Sequence, residues 1–511
     1  MKFTRTLIAV GVAAAMAAPM ALSAQELRVG FSADALSLDP ANHRNRETET
    51  IIRNMFDGIL TRDADMNVVS ELAESWSAID PTTYEFKLRS GTTFHDGSPL
   101  TAEDIKFSID RLTNENAMGG QTSPRQSLLS PVTDVEVLDD LTFRIKLETP
   151  WPILPAMLPF QEMVSKAHVE AVGDAAMADN VNGTGPFKLV EWRKGQSVIM
   201  ERFDGYYGGA SDIAPVGPAC VERVIFQVIP ENASRVAALL AGEVHIIDKL
   251  PTHMVGQVEA NPDTTVMAVN GTRTSYVALN NQSGPFADIR VRHALAHALD
   301  RQLVVDKILD GNASLTNGIL SPDAFGKNAD LPAYDYDIDK AKALLTEAGY
   351  PDGLDVTLDV DGANKEIAEA ISAVVAQAGF RIGVTVGEGS TLTTRYRTKG
   401  EPIDGQMWLT SWGNGSLDPV GIFNPTHRTN DRGNSSGYSN PEVDALLDAA
   451  NAETDRAKRA QMYADAEAIV NRDLPKLYLW VAQDLYGVST RVSGWRPSSD
   501  SRINLHDACL D

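Results

Sequence analysis

The chain has 511 residues, 43% of them hydrophobic and 22% charged, with 69 acidic against 45 basic side chains and a formal charge of −24. That composition belongs to an ordinary globular protein rather than a disordered or fibrous one, and the negative balance repels phosphate backbones, which argues strongly against nucleic acid as a partner. The acidity reads first as solubility, because net charge speaks to field and not to a site.

At the N-terminus, Lys2 and Arg5 precede an apolar run from Leu7 to Leu22, and Ala21-Leu22-Ser23-Ala24 offers small residues for cleavage. Residues 1–24 therefore read as a secretory signal peptide. Cleavage after Ala24 leaves Gln25 first, although Ala21-Leu22-Ser23 is the better small-residue match. No cysteine lies nearby, so no lipid anchor is expected, and no later run approaches the roughly 18 apolar residues of a membrane span. The expectation is an exported, periplasmic chain that is not membrane-embedded. Its remaining 487 residues suggest about three domains.

Tyr84, Phe86 and Leu88 alternate with charged residues, which predicts a half-buried strand. Gly91 and His95-Asp96-Gly97 break it, and Thr101 with Asp104 reads as a capping box opening a helix that carries Ile105, Ile109 and Leu112. A strand is expected over Cys220 to Phe226. Ala341, Leu344, Leu345 and Ala348 mark a helix from about Asp339, ended by Gly349; Ile367, Ile371, Val374, Val375 and Ala378 mark another, ended by Gly379 before the strand Phe380 to Val386. A third begins near Thr454, packs Met462, Ala466, Ile469 and Val470, and yields to the strand Leu477 to Val481. Strands alternating with helices make this an α/β chain. Its two cysteines, Cys220 and Cys509, are either one disulfide or two buried thiols.

Several of these segments carry a family wording. Ala73-Glu74-Ser75-Trp76 with Phe94-His95-Asp96-Gly97-Ser98-Pro99-Leu100-Thr101-Ala102-Glu103-Asp104, Gly183-Thr184-Gly185-Pro186-Phe187, Asp288-Ile289-Arg290-Val291-Arg292-His293-Ala294-Leu295 and Tyr336 to Gly353 together resemble the dipeptide/oligopeptide-type periplasmic solute-binding proteins of ABC importers, family 5. The resemblance implies a three-domain periplasmic binding protein fold with two lobes on a two-segment hinge near residues 275 to 285 and 478 to 485. Domain I takes residues 25–64, 183–280 and 481–511, domain II 65–182, and domain III 281–480. It implies no enzyme and no cofactor. Its partners are a small-molecule solute, enclosed between domains I and III, and an inner-membrane ABC permease. A monomer is expected, since no coiled-coil heptad is present.

For the site, the resemblance points to the loop Ser411-Trp412-Gly413-Asn414-Gly415-Ser416-Leu417-Asp418-Pro419, with Trp412 either a cleft wall or a core residue, and Ser411, Gly413, Asn414 and Asp418 beside it. Tyr276, Asn280, Ala35 and Arg46 complete the expected ligand contacts; Arg46, like Arg44, reads either as an anion contact or as a solvated charge. Peptide-binding members place a carboxylate where this chain has Gly415, and dipeptide-type members an arginine where Asp359 to Asn364 has none. An ammonium buried without a counter-charge is costly. Ordinary dipeptides are thus poor candidates unless Asp418, which can equally brace the loop, serves as anchor. A peptide-like or modified amino-acid solute is the leading reading, with an opine, a sugar derivative or a metal chelate behind it.

Two other motifs are weak. Gly433-Asn434-Ser435-Ser436-Gly437 fits G-x-S-x-G, which would make a secreted serine hydrolase on Ser435, but Thr426 to Arg432 is polar where a nucleophile elbow needs an apolar strand. His293 and His297 share a helix face, yet Ala294 stands where a zinc protease has glutamate. Helix packing is their simpler role, and no metal set is expected.

Overall fold

A computed structural model describes residues 25–208, 217–322, 324–398 and 400–511. The expected signal peptide lies outside the described residues.

Two long strands, Thr264–Leu279 and Lys476–Ser489, run antiparallel through the centre of the molecule and belong to both halves of it. Toward one side the sheet continues through Met407–Gly413, Leu354–Val360 and Phe380–Val386; toward the other through Ile246–Ile247, Glu26–Phe31, Arg223–Val228, Ser197–Arg202 and Phe187–Arg193. Pairing between the two long strands is interrupted between Asn270 and Thr274. Gly271 sits in that interruption, where a Cβ would stand 2.9 Å from the Ala482 carbonyl oxygen.

Side-chain alternation along Thr264–Leu279 builds two cores at once. Val277 and Leu279 face the helices Ile289–Ala298, Ile338–Glu347 and Lys365–Val375, whereas Tyr276 and Ala278 face Pro441–Ala452 and Arg456–Asp473. A separate core surrounds Glu26–Phe31 and Arg223–Val228, and a further one covers the four-stranded sheet of Ala73–Asp80, Thr83–Leu88, Thr142–Leu147 and Val132–Asp139.

Local grammar explains the element ends. Thr101 donates its N–H to Asp104 at 2.9 Å and opens the helix Ala102–Thr113. Gly379, at φ 101, ends the turn before Phe380–Val386. The strand expected over Leu477 to Val481 runs much further, to Ser489, because Gln483 and Asp484 lie on the stretch that pairs with Asn270 and Val269. The strand expected from Cys220 begins at Arg223.

The family segments meet in space. His95 donates its backbone N–H to the Gly183 carbonyl (2.9 Å), its ring takes the Gly183 N–H at Nδ1 (3.3 Å), and Nε2 donates to the Gly185 carbonyl (3.0 Å). Cβ atoms on Gly183 or Gly185 would stand 2.0 and 2.5 Å from the Met55 backbone, so only glycine admits this approach. Arg292 donates to the Phe286 and Asp473 carbonyls, and Arg301 to those of Thr316 and Tyr478. These side chains satisfy buried carbonyls where segments cross.

Cys220 and Cys509 are joined as a disulfide with Cα atoms 5.1 Å apart, closing a separation of 289 residues. The bond fastens the C-terminal strand Cys509–Leu510 beside the edge of the Arg223–Val228 region. Replacing both cysteines by serine should lower stability by about 2–4 kcal/mol, read by urea unfolding, because the unfolded chain regains the freedom the bond removes. Unreduced, denatured protein should show no alkylatable thiol.

Candidate functional site

The site is built around the end of the strand Met407–Gly413. Pairing with the long strand sets Trp412 opposite Thr274 and Gly413 opposite Arg273, and the Asn414 N–H extends the ladder to the Thr272 carbonyl at 2.9 Å. The chain then turns: Leu417 returns its N–H to the Asn414 carbonyl (3.2 Å) at φ 55, a left-handed conformation held by the turn, while Ser416 Oγ donates to Asn414 Oδ1 at 2.9 Å. Asn414 is buried, and its Nδ2 has no hydrogen-bond partner among the described residues.

Trp412 is half-buried. Its Nε1 donates to the Gly421 carbonyl at 3.0 Å, which fixes the ring plane. Two guanidinium groups lie over that ring, Arg397 at 5.0 Å and Arg432 at 4.9 Å from its centroid, and Arg397 also lies 4.4 Å from the Trp408 centroid. Arg273 donates to Ser411 Oγ at 3.3 Å.

Residues of the other half reach this loop. Arg62 donates to the Ser416 carbonyl at 2.5 Å, and an Arg46 guanidinium nitrogen stands 3.7 Å from where a Gly415 Cβ would be. Arg46 is positioned by Ser501, whose Oγ accepts its N–H at 2.8 Å and in turn donates to Asp484. The loop from one half and the arginines from the other thus form one surface.

Of the expected contacts, Ser411, Trp412, Gly413, Asn414 and Arg46 come together here. Asp418 corrects the expectation of a ligand anchor: both its oxygens accept from Arg459 at 2.6 Å, so the buried carboxylate braces the loop and has no ammonium partner to spare. Asn280 is likewise a brace, giving its amide to the Gly405 (2.8 Å) and Ile403 (3.2 Å) carbonyls. Tyr276 is fully buried with only its hydroxyl near Arg397, at 3.4 Å, and Ala35 is buried at 7% exposure. Arg44 instead donates to Ser127.

The weak motifs resolve into packing. His293 and His297 stack edge-on against Tyr334 and spend a ring nitrogen each on the Arg472 and Asp335 carbonyls. Ser435 is wholly buried, and among the described residues no histidine lies within hydrogen-bonding distance of it. Arg62, Arg273, Arg397 and Arg432 were not expected at the site. They come from four distant segments with no local motif; the register of the long strand, which sets Arg273 opposite Gly413, is the signal that leads to the first of them.

Two halves on shared strands, with an aromatic and polar surface between them, define a protein that captures a solute rather than one that transforms it. The chain belongs to the bacterial extracellular solute-binding proteins, family 5, whose middle-region profile matches residues 67–434. It is 28% identical over 517 residues to a glutathione-binding protein of Pectobacterium atrosepticum, across 99% of this chain and 98% of that relative. It superposes with a TM-score of 0.87 on HbpA2 of Haemophilus parasuis (24% identity, 95% of this chain and 100% of that one). The TM-score is 0.72 on DppA of Helicobacter pylori in complex with the peptide STSA (26% identity, 95% and 98%). The chain is the substrate-binding component of an ABC importer, with a small-molecule ligand and a permease as partners, and not an enzyme. Among the described residues no helix is long and apolar enough to cross a membrane.

Removing the Asp418 carboxylate tests its bracing role. Asp418→Ala strands the Arg459 guanidinium in a buried position and should cost about 3–5 kcal/mol in urea unfolding. Arg459→Met in the same background should recover part of that loss.

Proposed function

We propose that the solute is peptide-like and is held between the Trp412 loop and the Arg46 side of the cleft, with closure of the two halves signalling occupancy to the permease. The observation that carries this reading is the approach of Arg46 and Arg62 to Gly415 and Ser416, which lets one ligand touch both halves. A ligand shifts the open–closed balance only by contacts it makes better in the closed state, and residues from both sides are what such contacts require. The shared strands flex where their pairing is irregular, between Asn270 and Thr274 and between Ser275 and Tyr276, the second within the expected hinge segment of residues 275 to 285 and the first just before it. The glutathione-binding relative and the peptide complex favour a peptide-like solute. The chain acts as a monomer in the periplasm, exported by a signal peptide at residues 1–24.

Small-angle scattering on the mature protein should show a smaller radius of gyration at saturation with a bound peptide such as glutathione; an unchanged radius would speak against closure. Unmodified dipeptides should bind weakly, since Gly415 supplies no carboxylate for their ammonium and Asp418 is occupied by Arg459. Trp412→Ala should weaken binding by about 2 kcal/mol in titration calorimetry, through loss of a rigid contact surface.

A further inference from the structure

Four guanidinium groups ring the Trp412 loop: Arg46 beside Gly415, Arg273 beside Gly413, and Arg397 and Arg432 over the Trp412 ring. Among the described residues, none of the four has a carboxylate within ion-pair distance, although the molecule pairs most of its other arginines. Their partners are neutral: Ser501 Oγ for Arg46, Ser411 Oγ for Arg273, and the Tyr276 and Thr410 hydroxyls, at 3.4 and 3.5 Å, for Arg397. Arg397 Nε is buried with no partner among the described residues, as is Asn414 Nδ2 in the same loop. Burial, followed by the charges of Arg46 and Arg397, pulls the Arg273 guanidinium below its ordinary range, with Asp484 the carboxylate that offsets this. Asp484 is itself engaged by Ser501.

In a chain with 69 acidic residues, four unpaired arginines around one loop are not a consequence of composition. A guanidinium offers donors in a fixed fork that matches a carboxylate in two parallel hydrogen bonds, and a flat aromatic ring under it holds the fork in place. Arg397 and Arg432 are held in this way on Trp412, and Arg46 approaches from the opposite half.

Resting on the reading of this cleft as the solute site, we propose that its ligand is an anion carrying two separated carboxylates, one taken by Arg397 and Arg432 over Trp412 and the other by Arg46 and Arg273 beside Gly413 and Gly415. The second carboxylate would bridge the halves, since Arg46 comes from the helix Arg46–Ile52 of one half and Arg273 pairs with Gly413 on the strand that leads into the Trp412 loop, and closure would then depend on ligand charge.

Titration calorimetry on the mature protein with glutathione, glutathione diethyl ester, N-succinyl-dialanine and the zwitterion Ala-Ala tests this. Expected are at least 10-fold tighter binding of glutathione or the succinyl peptide than of the ester or Ala-Ala, and loss of that preference in Arg397→Gln, Arg432→Gln and Arg273→Gln. Circular dichroism and thermal melting identify any variant that fails to fold, and Arg432→Lys, which keeps charge without the fork, serves as the milder companion. Equal binding of ester and acid, or unchanged preference in the folded arginine variants, overturns the inference, while peptide-driven compaction in scattering would leave the solute-binding reading standing. Tight, arginine-dependent binding of the non-peptide dicarboxylate glutarate, with every peptide inert, would instead keep the inference and remove the peptide reading. Binding of none of the dicarboxylates overturns the inference.

Discussion

The antiparallel pairing of Thr264–Leu279 with Lys476–Ser489 is the constraint on which the rest of the structure depends. Buried backbone donors and acceptors must be paired, so two strands that serve both halves tie the halves to one hydrogen-bond ladder. That ladder is irregular at two places, between Asn270 and Thr274 and between Ser275 and Tyr276. At the first of these, Gly271 allows the two backbones to come within a distance that a side chain would forbid. The Trp412 loop begins on the strand paired immediately beyond this break, so the site sits directly beside the irregular stretch of the shared strands.

A second constraint fixes the half that approaches the loop. Glu49 pairs with Arg502 and Arg125, Arg502 with Asp500, and Arg53 with Glu71, all buried. Taking these charges from water is expensive unless each finds partners, and removing one member leaves the others uncompensated. The network therefore holds the C-terminal residues 500–502 against the helix Arg46–Ile52, and that contact is what places Ser501 under Arg46. The disulfide pins the same tail further on, at Cys509. Charges that are paired in this network build the scaffold, and Arg46, left unpaired beside it, reaches the Trp412 loop at Gly415.

Much of the fold was legible because periodicity and punctuation act locally. The capping box at Thr101, the stop at Gly379 and the strand Phe380–Val386 are each decided by residues within a few positions. The full length of Lys476–Ser489 was not, because Gln483 and Asp484 interrupt its apolar run and are strand only by virtue of a partner some 200 residues away. The family wording carried the fold and pointed to the Trp412 loop, while its charged residues His95 and Arg292 satisfy carbonyls in the structure. Asp418 was ambiguous in sequence because Arg459, which decides its role, lies 41 positions later.

The positive charge gathered around the Trp412 loop was the least legible feature, and the reason is physical. A net charge of −24 sums over the whole surface, where water and salt damp each charge within a Debye length of about 8 Å at physiological ionic strength. A bound solute instead meets the groups within hydrogen-bonding reach, in a region where neighbouring protein excludes much of the water and charges act more strongly. Four arginines drawn from positions 46, 273, 397 and 432 contribute little to the composition and dominate that local field. The acidic exterior then slows the approach of an anion without deciding whether it stays, so the chain can be acidic overall and still hold an anionic ligand in its cleft.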